Sequence, residues 1–116
     1  KNEHDHLPND NVNVGLIREY NYLVEKYFKK YSKVSDYADL LNKSPKTLSN
    51  IFGKYLKKTP LQIINERRLL ESKRLLKYSD KTVQEIAYDI NFTDVQTFSR
   101  FFRSMAGESP SQYRSL

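Results

Sequence analysis

The chain has 116 residues, a net charge of +6, 38% apolar residues and no cysteine. That length allows one domain or two very small ones. The lack of cysteine excludes disulfides and thiolate metal sites and suits a reducing cytoplasm, and no apolar run approaches the roughly 18 residues of a membrane span. Only three Gly and four Pro interrupt the chain, and few alternating Val/Ile/Thr runs occur, which points to an all-α fold. With neither an initiator Met nor a signal peptide, the sequence reads as a fragment of something longer.

Residues 1–13 are polar and contain Pro8, so a flexible linker or tail is expected there. His4 and His6 lie in this stretch; two histidines on a tail make a poor metal site, and no metal is expected. From about Val14 to Tyr31, Leu16, Tyr20, Leu23, Val24, Tyr27, Phe28 and Tyr31 recur at helical spacing and predict a long packing helix. Lys29, Lys30 and Lys33 are expected to be solvated. Ser35 is the expected cap of a short helix from Asp36 to Leu41, with Tyr37, Ala38, Leu40 and Leu41 supplying its buried side. Asn42 suits the left-handed conformation that often ends a helix. Ser44 and Pro45 then restart the chain as N-cap and first helical residue.

The next helix separates into two faces. Lys46 and Asn50, with Thr47, Ser49 and Lys54 beside them, form a polar stripe opposite Leu48, Ile51, Phe52 and Tyr55. Thr59-Pro60-Leu61-Gln62 is a capping box that opens a long helix to about Tyr78. A second box, Thr82 to Glu85, opens Val83 to Ile90. Asn91 makes the next turn, Phe92 is expected to plug the core, and Thr93 to Gly107 forms another two-faced helix. There Gln96, Arg100 and Arg103, flanked by Thr97, Ser99 and Ser104, oppose Val95, Phe98, Phe101, Phe102 and Met105. Ser109 to Gln112 caps a last short helix ending near Arg114.

The two-faced helices are copies of one pattern. At an offset of 50, Thr47 matches Thr97, Ser49 matches Ser99, Phe52 matches Phe102, Pro60 matches Pro110 and Gln62 matches Gln112. Upstream the offset is 49, pairing Ala38 with Ala87, Leu41 with Ile90 and Asn42 with Asn91. The charge is clustered as well: residues 43–81 hold eleven Lys/Arg against three Asp/Glu. A basic excess of this kind favours a polyanion, most commonly nucleic acid. Arg, Gln, Ser and Thr on a helix face suit base edges and phosphates. Lys46, Lys54, Lys57, Lys58 and Arg103 are candidate phosphate partners. Anionic membrane is disfavoured, because the basic residues share no helix with a broad exposed apolar face.

Ala38 through Phe52, Pro60, Arg68 through Leu76, Val83 through Ala87, Phe92, Phe98 through Phe102, Gly107 and Pro110 through Arg114 together resemble the DNA-binding domain of AraC/XylS-family bacterial transcription regulators. The resemblance covers about residues 16–116 and is most specific from Ile86 to Arg114. It implies about seven helices arranged as two helix-turn-helix subdomains, residues 14–58 and 79–116, joined by a long linker helix over residues 59–78. It also implies sequence-specific binding of double-stranded promoter DNA by two recognition helices in successive major grooves. By position, base contacts fall on Lys46, Thr47, Ser49 and Asn50 in the first copy and on Gln96, Thr97, Ser99 and Arg100 in the second. Contact with RNA polymerase, and oligomerisation through a missing upstream region, are expected to accompany DNA binding.

Three positions depart from the family pattern: Asn91 and Lys57 stand where Gly is usual, and Ser72 where Ala is usual. Asn91 can hold the same backbone, and Ser72 is placed to bond back to its own helix. Gly53 on the first recognition helix is a local oddity, either tolerated or permitting close approach to DNA. No catalytic constellation, cofactor motif or phosphate-binding Gly loop is present, so neither an enzyme nor a cofactor is expected. The rival readings are a helical protein-interaction module and a nonspecific nucleic-acid binder.

Overall fold

A computed structural model describes the backbone of residues 2–116 and the side chains from residue 11 onward. Seven helices succeed one another among these residues: α1 (Asn2–Tyr27), α2 (Val34–Leu40), α3 (Pro45–Tyr55), α4 (Pro60–Tyr78), α5 (Val83–Asp89), α6 (Val95–Ala106) and α7 (Pro110–Ser115). The chain divides into two compact units. One takes residues up to Tyr27 and Lys33–Ile64, and the other takes Phe28–Ser32 and Asn65–Leu116. Helix α4, 19 residues and roughly 28 Å long, begins in the first unit and continues into the second.

The first unit gathers around Tyr20. Its ring centroid lies 4.8 Å from Phe52 and 5.5 Å from Tyr37, and its hydroxyl donates to the Pro60 carbonyl at 2.9 Å. Burial, with Tyr37 alongside, drives the Tyr20 hydroxyl far above its ordinary value of 10.0, so it stays a neutral donor. Val24, Ala38, Leu48 and Ile64 are buried in the same unit. The second unit packs Leu75, Leu76, Ile86, Ala87, Ile90, Phe92, Phe98 and Phe102 together. Edge-on ring pairs link Phe92 to Phe98 and Phe102 to Tyr113.

Two elements differ from the sequence expectation. Helix α1 extends upstream of Val14, to Asn2, and it stops at Tyr27 rather than Tyr31. The early stop has a tertiary cause, since residues 28–32 pack in the second unit. Phe28 is buried under the Arg67 guanidinium at 4.1 Å, Lys29 pairs with Glu71 at 3.5 Å, and the Lys30 carbonyl accepts from Asn91 Nδ2 at 2.9 Å. Lys29 is therefore more than a solvated charge. Helix α2 begins at Val34 with Lys33 at the N-cap position and no side-chain cap, so Ser35 falls inside the first turn and caps nothing. Leu40 and Met105, expected in cores, are exposed at the ends of their helices. The side chains of His4 and His6 lie outside the described residues.

Candidate nucleic-acid interface

Both two-faced helices are built on the same local chemistry. Ahead of α3, the end of α2 closes with Asn42 at φ 55°, where Lys43 N–H donates to the Ala38 carbonyl at 2.9 Å and Asn42 N–H to Asp39 at 3.2 Å. Ahead of α6, Asn91 at φ 70° does the same: Phe92 N–H donates to Ala87 at 2.9 Å and Asn91 N–H to Tyr88 at 3.0 Å. This paired bonding is the Schellman closure of a helix C-terminus, and it turns the chain sharply toward the next helix. Asn occupies the left-handed position twice because its short polar side chain tolerates that conformation. Lys57, at φ 55°, holds the same backbone region where a Gly was expected by resemblance.

The N-termini differ in charge. Ser44 caps α3, its Oγ accepting from Thr47 N–H at 3.1 Å while donating to Thr47 Oγ1 at 2.9 Å. Asp94 caps α6, accepting from Thr97 N–H at 2.7 Å and from the Thr93 hydroxyl at 3.3 Å. The Thr97 backbone N–H holds the Asp94 carboxyl below its ordinary value, assisted by the Thr97 and Thr93 hydroxyls and the charge of Arg100. A negative cap is also favoured by the helix dipole.

The candidate base-contact residues sort by exposure. Lys46, Ser49 and Asn50 on α3, and Gln96 and Arg100 on α6, face solvent. Thr47, Thr97 and Ser99 are half-buried, and both threonines are committed to their caps. The exposed stripe is thus Lys46 and Asn50 on one helix and Gln96 and Arg100 on the other, one turn apart in each case. Lys54, Lys57, Lys58 and Arg103 are also exposed. A Cβ added at Gly53 would meet nothing within 4 Å, so the protein itself does not demand glycine there.

Sequence reading missed the groups that brace the second unit. Arg68 is buried on α4, with its guanidinium 3.9 Å from the Phe92 ring centroid and an N–H donating to the Ile90 carbonyl at 3.2 Å. Its position between Ile64 and Ser72 on the buried stripe of α4 was the signal that could have found it. Arg114 donates to the Leu76 carbonyl at 2.9 Å, closing the C-terminus of α4 from α7. Ser72 donates to the Arg68 carbonyl at 2.7 Å, the back-bond its hydroxyl suggested. Among the described residues no group of His, Asp and Glu could hold a metal ion, and no helix is long and apolar enough to cross a membrane.

Residues 37–115 match the family model described as a helix-turn-helix domain. The chain is 31% identical over 107 residues to the raffinose operon transcriptional regulatory protein of Pediococcus pentosaceus, covering 90% of this chain and 39% of that protein. It therefore spans well under half the length of that relative. The fold is similar to the C-terminal domain of AraT, a response regulator from Geobacillus stearothermophilus, with a TM-score of 0.80 and 26% identity over 86% of this chain and 84% of that one. It is also similar to the DNA-binding domain of AdpA, solved in complex with a target DNA, with a TM-score of 0.71 and 26% identity over 89% of each chain.

Proposed function

This chain belongs to the AraC/XylS-type helix-turn-helix family, and from that premise we propose that it binds double-stranded promoter DNA sequence-specifically as the output part of a bacterial transcription regulator. Helices α3 and α6 enter successive major grooves. Lys46, Ser49, Asn50, Gln96 and Arg100 read base edges. Lys54, Lys57, Lys58 and Arg103 hold phosphates. Thr47 and Thr97 act at one remove, by fixing the first turn from which their neighbours project. The family consists of transcription regulators rather than enzymes. Contact with RNA polymerase, oligomerisation outside these residues and a cytoplasmic location belong to the same proposal.

The observation that carries this reading is the duplication of one device: a Schellman-closed turn, a side-chain N-cap and an exposed polar stripe beginning at the second helical residue. Protein-interaction helices have no need for the same polar stripe twice.

Electrophoretic mobility shift across a salt series tests it. Binding should be sequence-selective and fall steeply with salt, because phosphate contacts release counterions. Lys57→Gly removes a charge while keeping the positive φ that an alanine would strain. It should weaken all sequences alike and flatten the salt slope by about one unit. Equal affinity for every duplex at moderate salt would leave only nonspecific binding.

A further inference from the structure

One face of α4 carries chemistry that DNA reading does not use. Leu70, Lys73, Arg74, Lys77 and Tyr78 succeed one another at helical spacing along a groove of about 420 Å³, with Tyr113 of α7 on its other side. Leu70 is 61% exposed and Tyr78 is 84% exposed, although both are large and apolar in character. The acid within this face, Glu71, is fully engaged: Arg74 holds it at 2.6 and 3.0 Å, Lys29 at 3.5 Å and Arg67 at 3.7 Å. Lys73 and Lys77 have no carboxylate partner among the described residues; their ammonium groups lie 5.6 and 4.8 Å from the Tyr113 ring centroid.

We propose that this α4 ridge, with Leu70 and Tyr78 at its ends and Lys73, Arg74 and Lys77 between them, docks an acidic amphipathic helix of a partner protein. Leu70 to Tyr78 spans roughly 12 Å, just over two helical turns, which suits apolar anchors spaced about two turns apart on the incoming helix. Carboxylates flanking those anchors meet the unpaired lysines, and the exposed aromatic and the arginine are residue types enriched where proteins bind one another. A second copy of this chain is disfavoured, because a two-fold contact would set the same cations against each other. A phosphate backbone would satisfy the lysines but offers nothing to Leu70 and Tyr78.

The test is amide chemical-shift mapping on the whole 116-residue chain. The probe is a synthetic helical peptide with leucines on one face and glutamates along its flanks. The controls are the same peptide with lysine for glutamate, poly-L-glutamate and a promoter duplex. Saturable shifts confined to the ridge are expected with the acidic peptide alone. Affinity for it should fall about tenfold in the Leu70→Ala/Tyr78→Ala variant. Both positions are exposed and alanine favours helix, so circular dichroism and DNA affinity of that variant should match the parent. Absent ridge shifts, or undiminished peptide affinity in the variant, would overturn the proposal. So would equal response to poly-L-glutamate, which would reduce the site to charge alone, or ridge shifts with the duplex, which would assign it to DNA.

Discussion

The two helix-turn-helix motifs share a backbone and differ in the residue just past the turn. After Asn42, Lys43 points into solvent; at the matching place after Asn91, Phe92 is buried against Phe98, Phe101 and the Arg68 guanidinium. The side chain of Asn91 reaches Lys30, whereas no such bond is seen for Asn42 among the described residues. The caps differ too, neutral Ser44 against ionised Asp94. The hydrogen-bonded turn sets the path of the chain, and the residue after it decides how firmly that turn is tied to a core. In the second motif the turn is a core element; in the first it is a surface element, and Tyr20 and Tyr37 carry the packing instead.

The two turns should differ most at the residue that follows each asparagine. Phe92→Ala should cost about 3–5 kcal/mol through the cavity it leaves, whereas Lys43→Ala should stay within about 0.5 kcal/mol of the parent. Thermal melts that put both on the same scale would show the turns to be equivalent after all. A smaller contrast separates the asparagines. Glycine fits either left-handed backbone, so Asn42→Gly should be near neutral, but Asn91→Gly loses the bond to Lys30 and should cost about 0.5–1.5 kcal/mol. Equal melting temperatures would mean that the bond adds nothing. The smallest effect comes from the caps. Asp94→Ser gives α6 the neutral cap of α3. The Asp94 carboxyl lies below its ordinary 3.8 in the folded chain, so its stabilisation is present above that value and is lost as pH falls through the lowered one. The melting-temperature gap between parent and Asp94→Ser should be full near neutral pH and close in acid. A gap independent of pH would assign the effect to shape rather than charge.

The capping boxes, the turn asparagines and the duplicated stripe were legible in the sequence because each is local. A residue and its partner three positions away suffice to define them, as with Thr82 and Glu85 or Ser109 and Gln112. The end of α1 was not legible. Its apolar spacing runs on to Tyr31, and only packing with residues far along the chain withdraws Phe28 to Ser32 from the helix. For the same reason the bracing roles of Arg68 and Arg114 were not legible, since their partners lie 22 and 38 positions away. Within the candidate interface, residue type identified the stripe but could not tell Thr47 and Thr97 from their exposed neighbours. Their hydroxyls are taken by caps, and that becomes visible only when the first turn of each helix is built.

In the proposed function both motifs read bases in one DNA site. The measurement is affinity for a duplex enriched from a random library, and for versions with one or the other half scrambled. Two variants, Lys46→Ala/Asn50→Ala and Gln96→Ala/Arg100→Ala, are compared with the parent on all three. For the parent, scrambling either half should cost affinity, each lost base contact being worth about 1–3 kcal/mol. Each variant should become indifferent to scrambling one half, a different half for each, while keeping its sensitivity to the other. If scrambling the same half affected both variants alike, or if either variant lost affinity equally for the enriched and scrambled duplexes, one of the two helices would be an anchor on phosphate rather than a reader of sequence.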